Sequence, residues 1–125
     1  MGNNKRILVV DDSYTISEFV GIRLSEAGYT VFKAADGAEG FKKIKELKPD
    51  LVILDIKLPD MEGFEVCRLS KADPQTRHIP VVFLSASTQQ HDLQMAESVG
   101  ADGFVAKPYE GKGLLEEVKK FLIHY

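Results

Sequence analysis

The sequence has no tryptophan and a single cysteine, Cys67, in 125 residues. One thiol cannot close an internal disulfide, which excludes a disulfide-stapled scaffold and points to a reducing compartment. Cys67 falls in a helical pattern close to Phe64, where a lone cysteine reads as a small core residue. Neither sign of charge is in large excess: 16 basic against 19 acidic side chains leave a net −3, with no basic stripe. That argues against direct contact of this segment with nucleic acid. No apolar run approaches the roughly 20 residues of a membrane-spanning helix, so no membrane insertion is expected. The stretch from Met1 to Arg6 leads straight into a strand pattern without a secretory hydrophobic region, and the cytoplasm is the expected location. His78, His91 and His124 lie in dissimilar contexts without ligand spacing, so nothing resembles a zinc site.

What is present is a chain of ordinary domain size, with residues 1–125 expected to form a single domain. Five short β-rich runs alternate with five helical patterns. The runs are Arg6 to Val10, Thr30 to Ala34, Leu51 to Leu54, Val81 to Leu84 and Gly103 to Ala106. Runs apolar on both faces suit parallel strands covered on both sides. The first helical pattern places Ile16, Phe19, Val20, Leu24 and Ala27 on one face, and Gly28 ends it. Asp36 with Glu39 reads as a capping box for the second, whose inner face carries Phe41, Ile44 and Leu47 before Pro49 stops it. The third follows Gly63, the fourth covers about 90–99 before Gly100, and the fifth runs over about 113–123, with Glu116 four residues before Lys120 as a solvated pair. This alternation predicts an α/β fold: an open, doubly wound, five-stranded parallel sheet with right-handed crossovers.

In such a sheet the functional crevice lies at the carboxyl ends of the strands. Those ends carry Asp11 and Asp12, Asp55, Ser85, and Lys107 followed by Pro108. Two ionised carboxylates about 5 Å apart repel by roughly 3 kcal/mol at an effective dielectric near 20. Either protonation shifts or a cation joins them, and oxygen-only donors on an accessible rim favour Mg²⁺. A cation flanked by a hydroxyl and an ammonium forms a phosphate-binding set, because phosphoryl transfer needs mainly alignment and neutralisation of the equatorial oxygens. Asp55, alone at the end of the central run, is then the nucleophile that forms an acyl phosphate. Taken singly, Asp11 or Asp12 could cap the first helix, and Asp55 could be a turn residue. Asp36 is assigned to capping alone.

The chain resembles a bacterial two-component response-regulator receiver domain of the chemotaxis-regulator type. The resemblance runs from Arg6 to Leu122. It rests on Ile7-Leu8-Val9-Val10-Asp11-Asp12, Asp50-Leu51-Val52-Ile53-Leu54-Asp55, Leu58-Pro59-Asp60-Met61-Glu62-Gly63, Ile79-Pro80-Val81 to Ser85-Ala86, and Gly100-Ala101-Asp102 to Lys107-Pro108. It implies strand order 2-1-3-4-5 in a flavodoxin-like three-layer sandwich with five helices. It also implies Mg²⁺, with Mn²⁺ as substitute, held by Asp12, by Asp11 largely through water, by Asp55, and by the backbone carbonyl of Lys57. Asp55 is implied as phosphoacceptor, Ser85 and Lys107 as contacts to the phosphoryl oxygens, and Lys107-Pro108 as a cis peptide bond. Ser85 and Phe104 are the implied switch pair, and Lys57 and Ser87 hold the places that tune acyl-phosphate lifetime. Serine stands at 85 where threonine is more frequent, and Phe104 lacks the hydroxyl many receivers carry there. Implied partners are a sensor histidine kinase or histidine phosphotransfer protein, and a downstream target, output domain or second copy docking on helix 4, strand 5 and helix 5.

Three rivals are distinguishable. A phosphatase of the haloacid-dehalogenase type, the enzyme alternative, needs an acid two residues after its nucleophile, where Lys57 stands. A flavodoxin-like binder needs a Ser/Thr-rich loop where Asp11-Asp12 stand. A degenerate receiver serving as a static module is at odds with the intact set Asp11, Asp12, Asp55, Ser85 and Lys107. Self-catalysed phosphorylation of Asp55, rather than enzymatic turnover, is therefore the expected chemistry.

Overall fold

A computed structural model of the chain describes residues 5–85, 90–106 and 112–122. The order of elements is β1 (Arg6–Val10), α1 (Tyr14–Glu26), β2 (Thr30–Ala34), α2 (Gly37–Leu47), β3 (Leu51–Asp55), α3 (Gly63–Ala72), β4 (Val81–Ser85), α4 (Gln90–Ser98), β5 (Gly103–Ala106) and α5 (Lys112–Leu122). All strand pairs are parallel, and the sheet runs β2-β1-β3-β4-β5. Both the alternation and the expected order are borne out. β3 and β4 each reach one residue past the apolar run, so Asp55 and Ser85 are the last residues of their strands.

Strand alternation divides the core into two layers. Ile7 and Val9, Leu51 and Ile53, and Val82 and Leu84 pack with Val20 and Leu24 of α1 and Leu114, Val118 and Leu122 of α5. Leu8 and Val10, Val52 and Leu54, and Val81 and Phe83 face the other way, onto Ile44 of α2, Phe64, Val66 and Cys67 of α3, and Ala96 of α4. Each such aliphatic or aromatic side chain contributes about 1.5–3 kcal/mol relative to exposure. Phe64 meets Phe83 edge-on at 5.2 Å between ring centres, which seats the start of α3 on the sheet. Cys67 is fully buried, and burial pushes its thiol up to about 11, so it is an inert core residue. Among the described residues no helix is long and apolar enough to cross a membrane.

Two expectations are corrected. α1 buries Ser17, Val20, Gly21 and Leu24, whereas Phe19 and Ala27 are exposed. The helix is apolar around much of its circumference, including exposed Tyr14 and Ile22, so periodicity alone does not choose a face. The two small residues decide it: they let α1 approach the sheet so closely that a Cβ on Gly21 would lie 3.0 Å from Lys33 Cε. Phe19 is instead covered by the Arg23 guanidinium, 5.2 Å above its ring. In α5, Lys120 pairs with Glu117 at 3.1 Å, one residue nearer than Glu116.

α3 also carries a local defect. The Ser70 hydroxyl is fully buried and has no hydrogen-bond partner, while the Ser70 carbonyl accepts from Thr76 Oγ1 at 2.8 Å. Ser70→Ala removes the unsatisfied hydroxyl and leaves that carbonyl in place. Urea unfolding should therefore show a gain of about 1 kcal/mol. A loss of stability would contradict this account of the hydroxyl.

Candidate metal centre

The order of the sheet reverses between β1 and β3, the place where a crevice opens at the strand ends. Val10 pairs with Leu54, so the next residues, Asp11 and Asp55, leave the sheet side by side. One carboxylate oxygen from each of Asp11, Asp12 and Asp55 lies within 4.8 Å of the others. Asp11 is buried, Asp55 is half-buried and Asp12 is exposed. At 4.8 Å an ionised pair repels by roughly 3 kcal/mol in an effective dielectric near 20, less where water reaches Asp12.

Neither aspartate caps α1. The cap is Ser13, whose Oγ accepts the Ile16 amide at 3.3 Å. Asp11 Oδ1 accepts the Ser13 amide at 2.9 Å, and the Asp11 amide donates to the Ala34 carbonyl at 3.0 Å. The carboxylate is thus fixed by the turn into α1 and by β2, and it still contributes an oxygen to the acidic cluster. A cleft of about 250 Å³, lined by Asp11, Asp12, Tyr14, Ser17, Lys33 and Glu39 among others, opens beside it toward β2.

Ser85 is buried at the end of β4, one step past the Asp55–Leu84 pairing. Phe104, within β5, is half-buried against the layer formed by α2, α3 and α4. Lys107, Pro108 and Ser87 lie outside the described residues, and so does the bond expected to be cis.

The loop after β3, residues 56–62, is pinned at several points. Gly63 donates its amide to the Ile56 carbonyl at 2.5 Å, closing an antiparallel bridge between Lys57 and Glu62. Gly63 needs no unusual dihedral; it needs space, because a Cβ there would sit 2.0 Å from the Asp55 carbonyl oxygen. Asp60 accepts the Gly37 and Ala38 amides of α2 at 2.7 and 2.9 Å, which holds its carboxyl below the usual range. Asp36 caps the same helix through the Glu39 amide at 2.8 Å, as expected. Glu39 closes the box one residue early, on the Ala35 amide at 2.9 Å. Sequence reasoning missed the roles of Asp60 and Gly63. Pro59-Asp60 carries only a local turn signal, and the amides Asp60 binds are 22 and 23 residues away.

The donor set fits a hard cation. All three side chains offer oxygen, and their 4.8 Å spread is close to the roughly 4.2 Å across an octahedral Mg²⁺ shell. Residues 7–119 match the model of the response regulator receiver domain.

The chain belongs to that family. It is 40% identical over 117 residues to the DNA-binding dual master transcriptional regulator RpaA of Synechocystis sp., covering 94% of this chain and 48% of RpaA. The chain spans about half the length of the curated relatives it matches. Among solved structures, Vibrio cholerae chemotaxis protein CheY4 superposes with a TM-score of 0.90 at 34% identity, covering 94% of this chain and 98% of that one. The receiver domain of a signal transduction histidine kinase from Syntrophus aciditrophicus gives 0.87 at 35%, covering 94% and 89%. The chain is therefore a phosphoryl-accepting receiver domain of the two-component type. Receiver domains hold a divalent metal on acidic residues, and the cluster of Asp11, Asp12 and Asp55 is such a set.

Proposed function

We propose that Asp55 is the phosphoacceptor. The observation that carries this reading is the meeting of three carboxylates within 4.8 Å, with Asp55 at the end of the central strand. An Asp55 oxygen attacks the phosphorus of a phosphohistidine, in line with the P–N bond that breaks. The imidazole leaves and takes a proton from solvent, and Asp55 is left as an acyl phosphate. Mg²⁺, or Mn²⁺ in its place, neutralises charge on the transferring oxygens when bound by Asp11, Asp12, Asp55 and the Lys57 carbonyl. Asp11, fixed by its bond to the Ser13 amide, holds its place in that set with little freedom to lose. The buried Ser85 hydroxyl addresses one phosphoryl oxygen and the Lys107 ammonium another.

The donor is a sensor histidine kinase or a histidine phosphotransfer protein in the cytoplasm. The domain catalyses its own modification and that of no second substrate, so it works as a switch and not as an enzyme in the ordinary sense. Movement of Ser85 toward the phosphoryl group, with Phe104 turning inward behind it, carries the signal to the surface of α4, β5 and α5. There it meets a target, an output domain or a second copy. RpaA is described as DNA-binding. The net charge of −3, with no basic stripe, argues against direct contact of this segment with nucleic acid.

The deciding experiment is intact mass after incubation with acetyl phosphate, with Mg²⁺ and with a chelator. A gain of one phosphoryl group is expected only with Mg²⁺, sensitive to hydroxylamine and mapped to the peptide holding Asp55. No gain in folded protein that binds Mg²⁺, or a gain mapped elsewhere, would overturn the reading.

A further inference from the structure

We infer that Asp60 is a positioning residue for the cation: by fastening the loop of residues 56–62 to the first turn of α2, it holds the Lys57 carbonyl toward the acidic cluster. The inference rests on the reading above that this carbonyl completes the protein's ligands. The loop leaves β3 directly after Asp55, with Ile56 buried and with Leu58 and Met61 packed against the core. At one end Gly63 donates to Ile56, so the bridge between Lys57 and Glu62 draws on the Ile56 carbonyl and not on that of Lys57. At the crest, Lys57 and Pro59 are exposed and Leu58 is half-buried. Asp60 ties the crest to α2, its two oxygens taking two neighbouring amides at 2.7 and 2.9 Å. Met61 lies beside it against Gly37, so closely that a Cβ on Gly37 would be 2.4 Å from Met61 Cγ.

Two carboxylates therefore share one helix end, and their duties differ. Asp36 belongs to the helix it caps and bonds the Glu39 amide. Asp60 comes from the loop, and its bonds cross from one element to another. Removing either carboxylate leaves amides of α2 unsatisfied and weakens the helix similarly. Only removal of Asp60 frees the loop beside Asp55. A ligand presented by a loosened loop must be ordered when the cation binds, and that cost appears as lost affinity.

The test titrates Mg²⁺ by calorimetry into the full chain, as wild type, Asp60→Ala, Asp60→Asn and Asp36→Ala, with thermal melts of each. Asp60→Ala should bind Mg²⁺ on the order of 10-fold more weakly. Asp60→Asn, which keeps one acceptor oxygen, should fall between, and Asp36→Ala should bind like wild type despite a lowered melting temperature. Phosphoryl uptake from acetyl phosphate should need more Mg²⁺ in Asp60→Ala, yet reach the wild-type rate once Mg²⁺ saturates. Unchanged Mg²⁺ affinity in both Asp60 variants would overturn the inference and leave the acceptor reading intact. An equal loss in Asp36→Ala would overturn it too, by assigning the effect to α2. Wild-type protein that binds no Mg²⁺ would remove the metal reading itself, and the role of Asp60 with it.

Discussion

Gly63→Ala is expected to destabilise the domain by roughly 1–3 kcal/mol, toward the upper end, and to weaken Mg²⁺ binding in the same variant. The added Cβ would lie 2.0 Å from the Asp55 carbonyl oxygen, 3.0 Å from its carbon and 3.2 Å from Ile56 Cα. These are backbone atoms, so no side chain can swing aside to make room. The end of β3 has to move, and the residue that moves with it is Asp55. Stability and site geometry are therefore coupled at this one position, which is unusual for a substitution that adds a single methyl group. Gly113→Ala makes the natural comparison, because nothing lies within 4 Å of a Cβ there and the residue is exposed on α5. That variant should be neutral or gain up to about 1 kcal/mol from helix propensity. Urea unfolding and Mg²⁺ titration of both variants separate the cases. A Gly63→Ala protein with wild-type stability and affinity would show that the close approach is no constraint.

The legible parts of this structure are those set by short-range pattern. Continuous apolar runs mark buried parallel strands, and the polar residues that end them mark the rim, because each follows its run without a gap. Asp36 was readable as a cap for the same reason, with its partner three residues away. What the pattern leaves open is any choice between equivalent faces or distant partners. α1 carries apolar residues around much of its circumference, so its buried face followed from where small residues let the helix approach. Asp11 and Asp12 are residue types open to a capping role, but Ser13, directly before the first residue of α1, takes it through the Ile16 amide. Asp60 and Gly63 act across the fold, on amides of α2 and on a carbonyl of β3. Their meaning lies in contacts that neither propensity nor spacing encodes.

Asp55→Asn is expected to abolish phosphoryl uptake while making the Mg²⁺-free protein more stable. Asparagine is nearly isosteric and keeps an oxygen acceptor, so hydrogen bonds received at that position survive. It lacks the charged oxygen that attacks phosphorus, and the mass gain should vanish at every Mg²⁺ concentration. The stability gain comes from the cluster itself. Three carboxylate oxygens within 4.8 Å of one another strain the fold when no cation balances them, and one charge fewer relieves two of the three repulsions. With Asp12 exposed and Asp55 half-exposed, water screens much of this, and a gain of about 1 kcal/mol is the reasonable size. Added Mg²⁺ should reverse the order. Wild type gains about 2.7 kcal/mol at a hundred times its Kd, whereas the variant, with a weaker site, gains less. Thermal melts with a chelator and then with excess Mg²⁺ should therefore cross. If the variant is instead the less stable protein in chelator, the carboxylate at 55 supports the fold directly, and its place in a cation site is not what strains the rim.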